Sequence, residues 1–266
     1  MTAKQMLSDP QCTGKIKPVG QVSEIWRYPV SSIGGQQCQN VDITETGIVG
    51  DRQFGLFDPS TGKTASPEND SRWHPALFLR AIINSAGETY IHFPNGEAYQ
   101  ICHPAIGPEL SRYFGFSVAV GRYNNGQWPA AEQLPMITHR YQPSPLHLIT
   151  SSSRERLSDL LSSKELDVRR FRPNIVLNTG AEPGFLENEW LGHTIHGVGL
   201  SMRATEHTKR CGMTMIAQPD IEADVEVLRA IVRNNRRSFG IYCDVVTAGG
   251  LDVGTELVLK TSAVRA

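Results

Sequence analysis

Over the first half of the chain, apolar and polar residues alternate in short runs, the period of half-buried strands. Val22–Tyr28, Val41–Thr44, Gln53–Phe57, Leu79–Asn84, Tyr90–Phe93 and Ser117–Arg122 are the strands this pattern predicts. Gly47, Gly50, Asp58-Pro59, Gly62, Gly87 and Asn95-Gly96 punctuate them as turns. A short helix is expected over Pro108–Phe114, and the proline-rich stretch 123–145 reads as a boundary or long connection. Beyond it, Leu146–Thr150 is a strand running into serines. Ser153 or a neighbour can cap a helix over Arg154–Ser163 with Leu157, Leu160 and Leu161 on one face. Asn174–Asn178, Thr194–Val198 and Leu200–Thr205 read as further strands. Ile221, Val225, Leu228, Ile231 and Val232 recur at helical spacing and predict a second helix from near Asp220, with acids first and arginines near its end. Phe239–Thr247 and Glu256–Lys260, around a glycine-rich turn, predict a closing hairpin. Regular βαβ alternation and a GxGxxG loop are both missing, so the order predicts a mainly β, barrel-like α+β fold. The expected division is a loose arm over 1–20, a β-rich domain over 21–140 and a second domain over 141–262. The first strands are candidates to complete the second domain's barrel.

Charge removes one class of function. Twenty-six basic against 27 acidic residues in 266 leave a net charge of −1, whereas a broad nucleic-acid surface needs a basic excess to release counterions. The first residues lack the apolar core of a signal peptide. Apolar runs such as Leu77–Ile83 are strand-sized and broken by Arg80, too short to cross a bilayer. A soluble, cytoplasmic protein is expected. The five cysteines, Cys12, Cys38, Cys102, Cys211 and Cys243, are widely spaced and form no CxxC pair. That pattern suits neither a disulfide framework nor a zinc finger nor an iron–sulfur cluster.

Three segments carry candidate chemistry. In Thr208-Lys209-Arg210-Cys211-Gly212-Met213-Thr214 a thiol follows two cations, which favours the thiolate that attacks or ligates a metal. Gly212 would admit a ligand close to the backbone, and Thr214 would orient it. The bland alternative is a buried cysteine among core methionines. In Arg169-Arg170-Phe171-Arg172-Pro173-Asn174, three guanidiniums at a strand entrance suit bidentate phosphate recognition, or merely blunt a strand edge. Tyr28-Pro29-Val30-Ser31-Ser32-Ile33-Gly34-Gly35, followed by Gly47-Ile48-Val49-Gly50-Asp51-Arg52, offers hydroxyls, backbone N–H groups and a cation to an anion, or is only a turn. His193 and His196 sit between glycines and suggest no zinc site.

Taken in order, these segments resemble the MOSC superfamily, named after the C-terminal part of molybdenum-cofactor sulfurase. The closer likeness is to members with an N-terminal β-barrel-like MOSC extension, among them the amidoxime-reducing component and its bacterial counterparts. It covers roughly residues 20–260 and rests on Y-P-V-S-S with the following G-x-x-G-D-R, on P-x-x-L-I-T-x-x-S at Pro145–Ser153, on F-R-P-N-I at Phe171–Ile175 and on R-C-x-x-T at Arg210–Thr214. The resemblance implies a MOSC-type β-barrel with flanking helices plus the β-rich extension. It implies molybdenum cofactor (Mo-molybdopterin) as the prosthetic group, with Cys211 as catalytic metal ligand. Ser32, Arg52, Thr150, Ser151, Arg172, Asn174 and Arg210 would hold the cofactor. The implied activity is reduction of N-hydroxylated or related N–O small molecules. Electrons would come from a separate ferredoxin- or b-type-cytochrome-like protein with its reductase, because no ferredoxin-type cysteines follow Val258. Two positions depart from the reductases: Ser31 replaces a lysine and Gln218 an aspartate. Sulfur transfer through a Cys211 persulfide, and cofactor carriage without turnover, are the alternative functions.

Overall fold

The computed structural model describes residues 15–124, 133–139, 144–162, 165–180 and 183–261. Seven strands form the barrel: β1 (Lys15–Arg27), β2 (Leu146–Thr150), β3 (Ile175–Asn178), β4 (Thr194–His196), β5 (Ser201–Lys209), β6 (Ser238–Thr247) and β7 (Glu256–Thr261). They are hydrogen-bonded in the order β3-β2-β6-β5-β4-β7-β1, and β1 returns to β3 to close the ring. The N-terminal strand therefore completes the second domain's barrel, and Lys15–Gly20 lies in that strand instead of a loose arm.

Closure requires β1 to pair along one stretch with β7 and along the next with β3. Register shifts at Pro18/Gly20 and Val22/Glu24 bend it there. Gly20 has φ 145°, and a Cβ on it would stand 2.5 Å from the Asn178 carbonyl oxygen, so the bend needs glycine.

The uninterrupted burial of Leu146–Thr150 follows from cover on both faces. Leu146 and Leu148 point into the barrel with Ile175 and Leu177. Ile149 and Val176 point outward beneath two helices, packed with Phe171, Phe239, Leu157, Val227 and Ile231. β2 and β3 run parallel, joined across a helix, so the fold contains one local βαβ unit.

In chain order the helices are α1 (Ile106–Phe114), α2 (Ser151–Leu160) and α3 (Val225–Asn235). α2 is capped by Thr150, whose hydroxyl accepts the Ser153 N–H, and α3 by Asp224. α3 buries Val227, Ala230 and Ile231, whereas Val225 and Val232, expected in the core, are each 48% exposed. The closing hairpin does not form. β6 pairs with β2 and β5, and β7 pairs with β4 and β1. The intervening Gly249–Asp252 instead adds a strand to Asn40–Thr44.

The β-rich N-terminal part has its own core. Phe54, Leu56, Trp73, Ile91, Leu110 and Val120 pack together, with Trp73 edge-on to Phe114 and Phe116. No helix of the described residues is long and apolar enough to cross a membrane.

Candidate active site

β1 ends at Arg27 and is followed at once by Val30–Ser31 of the N-terminal part, so the barrel and that part are joined there. A cavity of about 280 Å³ lies at this seam. Ser31, Ser32, Arg52 and Glu68 reach it from the N-terminal side. His147, Arg172, Asn174, Lys209, Arg210 and Cys211 reach it from the barrel side. Six of the eight residues singled out in the sequence are thus brought together over a span from Ser32 to Cys211.

Thr150 and Ser151 are not among the lining residues. Thr150 is fully buried, and its hydroxyl donates to Glu187 (2.8 Å) while capping α2. Ser151 is hydrogen-bonded to Thr179 at 3.1 Å. Of the arginine run, only Arg172 enters the cavity. Arg169 is ion-paired to Asp167 at 2.6 Å, and Arg170 donates to the Thr214 and Glu222 carbonyls. The Thr214 hydroxyl, expected to orient a ligand, donates to the Cys211 carbonyl at 3.0 Å. A Cβ on Gly212 would make only ordinary 3.6 Å contacts with Glu68 and Met215, so local packing does not demand glycine there.

The arginines are held by backbone and aromatic contacts. Arg172 stacks on the buried Tyr28 ring at 4.2 Å, donates to the Ile33 carbonyl and accepts Arg52 Nη2–H at its own carbonyl (3.3 Å). Arg52 lies 5.3 Å from the same ring and is ion-paired with Asp51. Arg210 donates to the Phe171 carbonyl at 2.7 Å. Its backbone is clasped by Arg237, whose N–H donors include one to the Arg210 carbonyl. Lys209 Nζ donates to the Arg236 carbonyl (3.0 Å) and the Ser238 hydroxyl (2.9 Å). The turn after α3 therefore fixes both cations beside Cys211.

Ser32, Arg52 and Arg172 all have left-handed backbone, at φ 68°, 49° and 52°. Non-glycine residues hold that conformation at a cost of about 1–3 kcal/mol each, and such positions concentrate at functional sites.

Among the described residues, four cations (Arg52, Arg172, Lys209, Arg210) and one carboxylate, Glu68, line the cavity. His147 adds no charge. Burial and then the nearby Arg210 hold its pKa well below the usual 6.5, leaving a neutral ring between the Arg172 and Phe239 carbonyls. Tyr28 stays a phenol, its pKa raised by burial. His147 and the supporting arginines of the α3 turn escape a sequence reading. A histidine between strand leucines carries no spacing signal, and Arg236–Arg237 read as the end of a helix.

The residues fit a sulfur-bound metal with a phosphate-bearing cofactor. Among the described residues no three His, Cys, Asp or Glu side chains converge as in a protein-only metal site. A metal on the half-buried Cys211 thiol would need its other ligands from a cofactor, and soft thiolate suits a metal already held by sulfur. The excess of guanidinium suits a phosphate.

Comparison with known proteins identifies the family. The MOSC domain matches residues 136–258 and the MOSC N-terminal beta barrel domain residues 19–98. The chain is 25% identical to mitochondrial amidoxime reducing component 2 of Rattus norvegicus, over 92% of this chain and 85% of that one. Among solved structures, the YuaD protein from Bacillus subtilis superposes with a TM-score of 0.50 at 12% identity, covering 94% of this chain and 100% of that one, a likeness of fold alone. The chain belongs to the MOSC-domain family and carries that family's N-terminal β-barrel domain.

Proposed function

We propose that the cavity binds molybdenum cofactor and that the protein is an oxidoreductase acting on N-hydroxylated or related N–O small molecules. The observation that carries this reading is one cavity lined by the half-buried Cys211 thiol together with Arg52, Arg172 and Arg210. The family, and the amidoxime-reducing name of the rat relative, support it. Cys211 Sγ would ligate the metal. The three guanidiniums, with five N–H donors each in a fixed fork, would hold the cofactor phosphate, aided by the Ser31 hydroxyl; the Ser32 hydroxyl donates to the Ala65 carbonyl at 3.1 Å, so Ser32 would shape the site through its left-handed backbone. Asn174 lines the same cavity and positions Arg52 by accepting its Nη1–H at Oδ1. Bound there, the cofactor would supply two-electron chemistry that removes oxygen from the substrate, with water as the other product. Electrons would arrive from a separate ferredoxin- or b-type-cytochrome-like protein.

The experiment is metal and pterin analysis of protein purified from a cofactor-producing host, with turnover of an amidoxime by reduced dye. Stoichiometric molybdenum with turnover supports the reading. Pure protein without molybdenum contradicts it.

Sulfur transfer through a Cys211 persulfide is the second reading. It is favoured by Ser31, which lines the cavity where the reductases carry a lysine. An added sulfur in the intact mass after exposure to a persulfide donor, lost in Cys211→Ala, would support it.

A further inference from the structure

His147 is buried on β2 between the barrel residues Leu146 and Leu148, and its ring lies at the wall of the seam cavity. Asn174 pins its backbone on both sides: Oδ1 accepts the His147 N–H (3.1 Å), and the Asn174 N–H donates to the His147 carbonyl (2.8 Å). The ring's seat needs Gly240, at φ 86°, because a Cβ there would stand 2.6 Å from Nε2. In that seat Nδ1 lies 3.3 Å from the Arg172 carbonyl oxygen and Nε2 lies 3.4 Å from the Phe239 carbonyl oxygen.

Carbonyl oxygens only accept hydrogen bonds, and a neutral imidazole has one N–H donor and one bare nitrogen. Either tautomer therefore turns a lone pair toward one of the two oxygens. Only the imidazolium, with an N–H on each nitrogen, matches both. The seat suits a cation, yet burial and the charges of Arg210 and Arg52 keep the ring neutral. Arg172, Lys209 and the Cys211 thiol share the cavity, with Glu68 as the carboxylate among its described residues. On the β6 side, Tyr242 presents its ring at 5.6 Å, and the Gly240 N–H donates to the buried Glu187 carboxylate.

An anion held by the arginines cancels the charge that opposes a cationic ring. Resting on the phosphate-binding reading above, we propose that His147 takes up a proton from solvent when a dianion binds to Arg52, Arg172 and Arg210, and that the imidazolium then fastens the Arg172 and Phe239 carbonyls. His147 is a positioning residue. It acts through the Arg172 backbone, whose carbonyl also accepts Arg52 Nη2–H (3.3 Å), and it couples the anion's affinity to pH. By linkage, proton and anion strengthen each other by the same factor.

The probe is sulfate, whose charge stays fixed where that of a phosphate changes, near about pH 6. Full-length protein is made in a host without molybdenum cofactor, and the His147 ring is followed by NMR, assigned by its loss in His147→Gln. Saturating sulfate should raise the titration midpoint by at least about one pH unit. Sulfate affinity should rise at least about threefold from pH 7.5 to pH 5.5, with proton uptake by calorimetry in two buffers. Both effects should vanish in His147→Gln, whereas Arg172→Ala should lose sulfate binding itself. A midpoint unmoved by bound sulfate, or equal proton uptake in His147→Gln, overturns this inference alone. A flat wild-type affinity profile overturns it without any variant. Failure of sulfate to bind removes the phosphate-binding reading with it. Sulfate-linked protonation in a chain that takes up no molybdenum from a cofactor-producing host leaves the inference standing and removes the proposed redox function.

Discussion

Asn174 and Arg52, 122 residues apart in the chain, share a 3.1 Å hydrogen bond in which Arg52 Nη1 donates to Asn174 Oδ1. The same oxygen accepts the His147 backbone N–H at 3.1 Å, and Nδ2 donates to the Trp26 carbonyl (3.2 Å) and to Asp51 (3.1 Å). This one buried amide ties β1, β2 and the Arg52 loop together, which sets where the guanidinium points. Asn174→Ala leaves several buried groups without partners and should destabilise the protein by about 3 kcal/mol. Urea unfolding measures it; a change below about 0.5 kcal/mol would show that the amide is dispensable.

Tyr28 presents the opposite case. Its ring carries Arg172, yet its hydroxyl is buried with no hydrogen-bond partner among the described residues. Tyr28→Phe removes an unsatisfied polar atom and keeps the stacking face. Stability should be unchanged or rise by up to about 1 kcal/mol. A loss of more than that would reveal a partner for the hydroxyl.

His147 makes stability depend on pH. Its native pKa lies well below the ordinary 6.5, so on acidification the unfolded chain takes up a proton that the native ring refuses. The stability difference is fully present above pH 6.5 and falls as pH drops below it, at up to about 1.4 kcal/mol per pH unit. Glu187 acts in the other direction. Burial raises its pKa, so its contribution is present below pH 4.5 and lost as pH rises. Comparing wild type with His147→Gln between pH 5 and 7.5 isolates the histidine. The wild type should show the steeper loss on acidification, and parallel curves would exclude His147 as its source.

Thr150 separates support from binding. Thr150→Val removes the α2 cap and a hydrogen bond to the buried Glu187 carboxylate, at a cost of about 2 kcal/mol. Folded variant should retain its full cofactor content, whereas Arg172→Ala should lose most of it. Loss of cofactor from folded Thr150→Val would return Thr150 to the binding set.

Strand positions were legible because alternation is local. The barrel's closure was not, since β1 meets β3 across about 150 residues and no local pattern encodes that pairing. Adjacent β6 and β7 suggested a hairpin for the same reason, proximity in sequence standing in for proximity in the sheet. In α3 two apolar stripes satisfy a 3.6-residue period. Packing against α2 and β6 selects the stripe with Val227, Ala230 and Ile231, leaving Val225 and Val232 outside. Six of the eight candidate residues line one cavity, and their short, ordered motifs had singled them out in the sequence. Thr150 and Ser151 belong to such a motif too, but it serves a helix cap here. His147 and Glu68 needed the folded seam to show that they face the same space.

We propose that Cys211 holds a metal beside a phosphate-binding set of arginines. The most direct test is molybdenum and pterin content of wild type and Cys211→Ala purified side by side from a cofactor-producing host. Molybdenum near one per chain is expected in wild type and its loss in Cys211→Ala, with part of the pterin retained through Arg52, Arg172 and Arg210. Equal molybdenum in both proteins, or none in either, would contradict it.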